Sequence, residues 1–367
     1  MKVFALVGAR PNFIKIAALE RAFRSKSAVD FNIIHTGQHS APEMYDRFFE
    51  QLSIPRPHYE IALHSKIPHR MIAQITHEFG DLLFSEKPDA LILVGDVNST
   101  LGGALAALKT GVPVAHVEAG LRCADPNLPE EANRVLTDRV SRWLFTTETS
   151  ANTHLLAEGI DKSRIHFVGN VMIDALLHYL PLSRLLDVPK QLGLSDRSYI
   201  LCTIHRNFNI TREAVLRKIV TLMKDVSRYA PIVFPVHPNT AFWLQKFDLL
   251  RDLEQLETCI LLPPQAYLEF VNLLENAALV VTDSGGVQEE STFLNIPCIT
   301  FRPSTERPVT LTNGLNRLIY HETVEEMVEI VGAHLKKTSN TARTGGAPEL
   351  WDGKAAERVV EILTQEL

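Results

Sequence analysis

Short, wholly apolar runs alternate along the chain with longer stretches whose apolar residues recur at helical spacing. The apolar runs are rich in β-branched residues, a pattern typical of strands buried on both faces of a parallel sheet. Strands are predicted at residues 2–8, 30–36, 90–95, 112–117, 144–147, 165–168, 199–204, 232–236, 259–262, 279–282 and 297–301. Because a helix or turn follows each run, the pattern predicts an α/β fold with parallel, doubly wound sheets.

The repeating pattern pauses once and then starts again. Gly169-Asn170 resembles a hinge, and a polar, proline-containing stretch follows near residues 181–197. A chain of 367 residues also exceeds the usual size of a single core. We therefore expect a Rossmann-like domain over residues 1–170, a second over 171–350 and a terminal helix over 351–367. Two such halves are expected to face one central cleft with the carboxyl ends of their strands.

Composition narrows the class of protein. Hydrophobic residues make up 46% and charged residues 22% of the chain, as in ordinary soluble proteins. The formal net charge of −6 argues against a nucleic-acid surface. The four cysteines form no C-x-x-C pair, and no apolar run is long enough for export or membrane spanning. We expect a soluble, cytoplasmic protein.

The stretch from Leu279 to Glu290 has the clearest chemical meaning. An apolar strand ends at Asp283, and a helix is predicted from Val287, with Gly285 and Gly286 between them. Glycines let the backbone approach a ligand closely, and the first N–H groups of a helix favour an anion. Glu290, one turn further, could accept hydrogen bonds from a ribose diol. The alternative is a tight turn with Ser284 as a capping serine.

Polar residues also cluster where other predicted strands end, at Arg10, Asp96, His116, Glu118, His205, His237 and Asp283. Each has a structural alternative: Asp96 could cap a helix, and His116 or His205 could be a satisfied core histidine. Glu130 and Glu131 could serve as acid/base groups or simply complement a helix dipole. Glu118 could be neutralised by Arg122 or Arg134. The sequence has no dinucleotide or P-loop glycine motif and no zinc-ligand spacing, so no cofactor or metal is expected.

Nine blocks of sequence resemble the non-hydrolysing UDP-N-acetylglucosamine 2-epimerase family, over nearly the whole chain. They are Gly8-Ala-Arg-Pro-Asn-Phe-Ile-Lys15, Thr36-Gly-Gln-His39, Gly95-Asp-Val-Asn-Ser-Thr100, His116-Val-Glu-Ala-Gly-Leu-Arg122, Pro129-Glu-Glu-Ala-Asn-Arg134, Gly169-Asn-Val-Met-Ile-Asp174, His205-Arg206, Asp283-Ser-Gly-Gly-Val-Gln-Glu-Glu290 and Thr305-Glu-Arg-Pro308. A single Ser-Gly-Gly would be unspecific, whereas this order and spacing of blocks are highly specific.

The resemblance implies the GT-B architecture, with the last helix crossing back to the first domain and the nucleotide held mainly by the second. It implies elimination of UDP with loss of the C2 proton, a bound 2-acetamidoglucal, and re-addition of UDP, without a redox cofactor. The family's acid/base positions match Asp96, Glu118, Glu130 and His205. Its UDP-binding positions match Arg10, Lys15, His237, Phe270, Ser284, Gly285, Gly286, Glu290 and Arg307. A homodimer acting in cell-surface polysaccharide biosynthesis is expected.

The chain departs from the family pattern in ways that leave alternatives open. Asn12 stands where many members have glutamate, and Ser40-Ala41-Pro42 lacks the glutamine with which some hold a second, activating UDP-GlcNAc. Asn207-Phe208-Asn209 after His205-Arg206 leaves the sugar open. A 2-epimerase of a 2,3-diacetamido uronic acid, a hydrolysing 2-epimerase and a GT-B glycosyltransferase are the alternatives.

Overall fold

The computed structural model of the chain consists of two compact units. Unit 1 comprises Met1–His178 and Pro348–Leu367, and unit 2 comprises Tyr179–Ala347. The structure describes residues 1–37, 49–65, 67–123, 128–312, 315–340 and 346–367, apart from the side chains of Arg10 and of residues 337–340. Gln38, His39 and the segment Ser40–Pro42 therefore lie outside the described residues.

Unit 1 is built on a seven-stranded parallel sheet with the strand order β3-β2-β1-β4-β5-β6-β7. Its strands are β1 (Lys2–Val7), β2 (Asp30–His35), β3 (Tyr59–Glu60), β4 (Ala90–Val94), β5 (Val114–Ala119), β6 (Trp143–Thr146) and β7 (Ile165–Phe167). All five residues of β4 are buried. This central strand is therefore covered on both faces, as its unbroken apolar run predicts.

Helices follow these strands in turn. They are α1 (Arg10–Arg24), α2 (Pro68–Glu86), α3 (Asn98–Thr110), α4 (Pro129–Val140), α5 (Thr149–Ala157) and α6 (Val171–Ser183). Helix α2 shows why they pack on the sheet, because Met71, Ile75, Phe79 and Leu83 are buried at a spacing of four residues. Helix α6 continues through Pro181, where the sequence suggested a break, and the division between the units falls within it.

Unit 2 repeats this plan with a six-stranded parallel sheet of order β10-β9-β8-β11-β12-β13. Its strands are β8 (Ile200–Thr203), β9 (Ile232–Pro235), β10 (Cys259–Leu262), β11 (Leu279–Thr282), β12 (Cys298–Phe301) and β13 (Asn316–Ile319). Its helices are α7 (Val188–Gln191), α8 (Asn207–Ile210), α9 (Glu213–Val226), α10 (Pro238–Lys246), α11 (Leu250–Glu254), α12 (Tyr267–Glu275), α13 (Gly285–Phe293), α14 (Val309–Thr312) and α15 (Val324–Asn340). The predicted α/β class with two parallel, doubly wound sheets is confirmed.

The final helix, α16 (Ala355–Glu366), belongs to unit 1 and packs on α1. The Asp174 carboxylate, in α6, accepts a hydrogen bond of 2.7 Å from the N–H of Ala356 in the first turn of α16. Gly169 also lies close to this segment, since a Cβ there would come within 2.0 Å of the Leu350 carbonyl oxygen. Across the described residues, no helix is both long and apolar enough to cross a membrane.

Candidate functional site

Each sheet has one place where the strand order reverses, and the polar residues predicted from the sequence gather at these two places. In unit 1 the reversal lies between β1 and β4, and in unit 2 it lies between β8 and β11. Helices leave such a pair of strands on opposite faces of the sheet, which opens a crevice beyond the carboxyl ends of the strands.

In unit 1, the carboxylate of Glu118 forms a buried ion pair with the ammonium group of Lys15 from α1. Glu118 lies in β5 with a φ of 76°, and the register with β6 shifts between Val117 and Ala119. This left-handed conformation is unusual for a residue with a side chain, and such strain concentrates at functional sites. The predicted partners Arg122 and Arg134 were wrong, because the side chain of Lys15 reaches Glu118 instead.

The turn after β4 brings further groups close to this ion pair. A Cβ on Gly95 would lie 3.3 Å from Lys15 Nζ and 3.7 Å from Glu118 Oε2, so the bare backbone allows this approach. Asn12 secures the same place: its side-chain amide donates to the Val94 carbonyl at 3.0 Å, and its oxygen accepts from the N–H of Ala9 at 2.9 Å. Asn12 therefore ties the loop after β1 to the end of β4.

Asp96, the next residue, is held by Arg134 of α4. Arg134 Nη2 lies 2.5 Å from Asp96 Oδ2, and Arg134 Nη1 lies 2.6 Å from Glu131 Oε2. Glu130 is partly buried in the first turn of the same helix. Asp96, Glu131 and Arg134 thus form one cluster at the carboxyl edge of the sheet. The guanidinium of Arg134 is therefore already paired with two carboxylates.

His116 is a satisfied core histidine, the structural alternative predicted from the sequence. Its ring is fully buried, with Nδ1 2.6 Å from Asp138 Oδ1 and Nε2 2.8 Å from the Gly95 carbonyl oxygen. Burial raises the pKa of Asp138, but His116 and Arg122 outweigh it and leave that pKa below its usual value. Arg122 also pairs with Glu158 at 2.6 Å. The buried ring of His116 therefore holds the backbone of Gly95 in place through its carbonyl oxygen.

In unit 2, helix α13 begins at Gly285, two residues earlier than predicted, and Ser284 occupies the N-cap position without a capping hydrogen bond from its side chain. The N-cap position predicted for Ser284 is therefore confirmed, whereas the capping hydrogen bond from its side chain is not formed. The first N–H groups of a helix have no partner within it, so this turn is suited to an anion.

Arg307 lies directly against this turn, since a Cβ on Gly285 would come within 2.5 Å of its guanidinium. Its side chain is 7% exposed; Nε lies 2.8 Å from Glu289 Oε1, and Nη1 also pairs with Glu306. Arg302 Nη2 lies 2.6 Å from the other oxygen of Glu306. Two arginines and two glutamates of balanced charge thus form a cluster next to the Gly285 turn, namely Arg302, Arg307, Glu289 and Glu306.

Glu290 is buried in α13 and accepts a hydrogen bond of 2.9 Å from the Tyr267 hydroxyl. Burial raises the pKa of Glu290 to about 8; the Tyr267 hydrogen bond opposes this rise and the neighbouring Glu289 adds to it. The carboxyl group therefore carries a proton at neutral pH. Phe270, three residues after Tyr267 in α12, is partly buried against the core of unit 2.

His205 and His237 lie together, with ring centroids 6.1 Å apart. His205 follows β8 and has a side chain 38% exposed, whereas Asp283, which follows β11, is fully buried beside it. His237 caps α10, since its Nδ1 accepts a hydrogen bond of 3.2 Å from the Asn239 N–H. The side chain of Arg10 lies outside the described residues.

Sequence reasoning missed several partners of the predicted residues. Tyr267, Glu289, Glu306 and Asn12 all contact one of them or support its turn. Asn12, Glu289 and Glu306 lie inside the sequence blocks singled out above, so their position was a usable signal. Tyr267 precedes Phe270 by three residues, which places the two on one side of a helix.

The sequence model of a family described as UDP-N-acetylglucosamine 2-epimerase matches residues 21–364. The chain is 39% identical over 369 residues to the UDP-N-acetylglucosamine 2-epimerase of Methanocaldococcus jannaschii, with 99% of both proteins covered. It is 36% identical over 376 residues to the UDP-2,3-diacetamido-2,3-dideoxy-D-glucuronate 2-epimerase of Pseudomonas aeruginosa, with 100% of both covered.

Solved structures give the same result. The crystal structure of the Methanocaldococcus jannaschii UDP-GlcNAc 2-epimerase in complex with UDP-GlcNAc and UDP superposes with a TM-score of 0.92 at 38% identity, with both chains fully covered. The crystal structure of the UDP-GlcNAc 2-epimerase from Neisseria meningitidis bound to UDP-GlcNAc gives a TM-score of 0.86 at 29% identity, again over the whole of both chains.

Proposed function

The chain belongs to the UDP-N-acetylglucosamine 2-epimerase family and is an epimerase; from this premise we propose that it interconverts UDP-GlcNAc and UDP-ManNAc at C2 of the sugar. The reaction proceeds by elimination and re-addition. The C2–H and C1–O bonds break, a C1=C2 double bond forms, and UDP leaves with the electron pair of the C1–O bond. UDP then adds back to C1 of the 2-acetamidoglucal, and a proton reaches the opposite face of C2.

The observation that carries this proposal is the pairing of acidic side chains with cations in unit 1. Inversion at C2 needs a group that takes a proton from one face and a group that supplies one to the other. Two carboxylates are held in place by ion pairs beside the turn that follows β4: Glu118 pairs with Lys15, and Asp96 pairs with Arg134. We assign the proton transfers to Asp96, Glu118 and Glu130 of unit 1, with His205 of unit 2.

We assign the binding of UDP to unit 2. The N-terminus of α13, with Ser284, Gly285 and Gly286, suits the diphosphate, and Glu290 suits the ribose. Arg307, His237 and Phe270 complete the proposed site, and Lys15 and Arg10 of unit 1 are assigned to the sugar nucleotide. Transfer to an acceptor, as in a glycosyltransferase, would not need acid/base groups for C2, so the carboxylates of unit 1 favour epimerisation.

A second substrate is supported by one comparison. The Pseudomonas aeruginosa relative, named for a 2,3-diacetamido uronate, is almost as similar to this chain as the Methanocaldococcus jannaschii enzyme named for UDP-GlcNAc. Conversion at C2 would follow the same steps for either sugar. The ratio of kcat/KM for the two UDP-sugars decides between them, and we expect UDP-GlcNAc to be preferred.

Proton NMR of the purified protein with UDP-GlcNAc in D₂O tests the reaction. The product should carry deuterium at C2 and remain attached to UDP, because the proton is exchanged with solvent while the glucal is bound. The matched control is the Glu118→Gln variant, which should exchange deuterium far more slowly. Protium at C2 of the product would contradict elimination, and free ManNAc as the main product would instead indicate a hydrolysing enzyme. Homodimer formation, a cytoplasmic location and a role in polysaccharide biosynthesis stay predictions.

A further inference from the structure

A buried carboxylate lies under His205 at the point where the strand order of unit 2 reverses. Asp283 follows β11, and His205 follows the neighbouring strand β8. Asp283 Oδ1 lies 3.1 Å from His205 Nδ1, and Asp283 is fully buried whereas the imidazole is partly exposed. The imidazole is thus held on its Nδ1 side by a group that solvent does not reach.

Asp283 also fixes the backbone that carries this imidazole. Its two oxygens accept hydrogen bonds from the His205 N–H at 3.0 and 3.1 Å and from the Arg206 N–H at 2.9 Å. Asn209 donates to the same carboxylate at 3.0 Å and to the Phe301 carbonyl at 3.1 Å. One side chain therefore fixes the backbone of the loop through hydrogen bonds and also lies within ion-pair distance of the ring.

The donors around Asp283 determine its charge. Burial raises the pKa of Asp283, but the imidazole of His205, Asn209 and the backbone N–H of Arg206 outweigh burial and leave that pKa below its usual value. An ionised carboxylate only accepts hydrogen bonds. With Nδ1 3.1 Å from this carboxylate, the form of the ring that carries a hydrogen on Nδ1 is favoured, and in that neutral form Nε2 is the atom with a lone pair.

We propose that Asp283 is a positioning residue for His205, which fixes the Nδ1–H tautomer and leaves Nε2 to exchange a proton with the bound sugar nucleotide. This inference rests on the acid/base role assigned to His205 under the proposed function. When Nε2 accepts a proton, the ring becomes an imidazolium, Nδ1 keeps its hydrogen and Asp283 stays ionised. When Nε2 gives the proton back, the original tautomer is restored.

Asp283→Asn tests this role because it keeps the shape of the side chain and removes its charge. The new amide N–H can face Nδ1 and favour the opposite tautomer, a change that costs about 10⁴ in kcat in the Ser-His-Asp triad. Here we expect kcat to fall by about 10²-fold or more, with the Kd of UDP within about threefold of the parent value. Asp248→Asn, in an exposed turn of unit 2, is the matched control and should retain the parent kcat.

The tautomer itself can be read from the unsubstituted protein, so the inference does not depend on the variant folding. Nitrogen-15 NMR of histidine-labelled protein, with the His205 signals assigned by their loss in His205→Gln, should show the Nδ1–H form of the neutral ring. An Nε2–H form, or parent kcat in a folded Asp283→Asn variant, would overturn the inference. Lack of turnover on any UDP-sugar would instead refute the proposed function, and the NMR result would still decide the tautomer.

Discussion

Glu290 gives a prediction whose size follows from the structure. The carboxyl group is buried against Tyr267, and burial raises its pKa to about 8 from a usual value near 4.5. Between these two pH values the unfolded chain has lost this proton and the folded chain keeps it. The folded state therefore binds more protons, and its stability must fall as pH rises through this interval.

The slope is about 1.4 kcal/mol per pH unit, and the total is about 5 kcal/mol between the two pKa values. The stabilisation is fully present below about pH 4.5 and is lost as pH rises towards 8. Glu290→Gln keeps a neutral side chain of similar shape at every pH. The free energy of unfolding of this variant, relative to that of the parent protein, should therefore increase steadily with pH across the interval.

Urea unfolding at several pH values between about 5.5 and 7.5 measures this difference, with hydrogen exchange of peptides from β11 as the probe for unit 2. Glu257→Gln is the matched control, since Glu257 is an exposed glutamate of the same unit and its substitution should leave the difference constant. A Glu290→Gln difference that is flat with pH, or that falls as pH rises, would refute the protonated, buried carboxyl group.

Two further substitutions test the two sets of site residues. Glu118→Gln keeps the size of the side chain but cannot take a proton, so kcat should fall by about 10²-fold or more with UDP affinity unchanged in titration calorimetry. Near-normal turnover in this variant would show that Glu118 is only a structural ion-pair partner of Lys15. Arg307→Ala should weaken UDP binding by about 1.5 kcal/mol or more, the size of a charge-assisted hydrogen bond, while Arg228→Ala on the surface should not. Unchanged affinity in a folded variant would remove Arg307 from the site.

The sequence was sufficient for the fold class because strands buried on both faces produce unbroken apolar runs, as in β4 and β11. It failed where an element is short or interrupted, and at β13, whose polar first residues Asn316-Arg317 give no unbroken apolar run. The two-residue strand β3 is the edge strand of its sheet and, among the strands that the structure describes, pairs only with β2. Strand β5 continues two residues past its predicted end and includes Glu118. Glu118 is charged and has a positive φ, so it does not fit the apolar pattern of a buried strand. Tertiary packing holds its backbone in this conformation, which the intrinsic preference of a glutamate would not predict.

The candidate site was predictable in its positions but not in its pairings. Residues at strand ends can be placed at one edge of a parallel sheet from sequence alone. Which cation meets which carboxylate depends on side chains from helices far apart in the chain, as when Lys15 of α1 reaches Glu118 of β5. Arg122 is closer to Glu118 in sequence, yet it pairs with Asp138 and Glu158.

These pairings change what the site residues can contribute. The guanidinium of Arg307 lies against the Gly285 turn and already pairs with Glu289 and Glu306, so the diphosphate of the proposed site would be a third anion around one cation. The free energy that Arg307 gains from a phosphate is smaller than that gained by an arginine without a carboxylate partner, because its charge already interacts with two carboxylates. The partial charges of the helix N–H groups carry no such counter-ion. Under the proposed function we therefore expect the backbone N–H groups of the Gly285 turn to contribute more to phosphate binding than Arg307 does, so that the loss of UDP affinity in Arg307→Ala stays near the lower end of the range, about 1.5 kcal/mol.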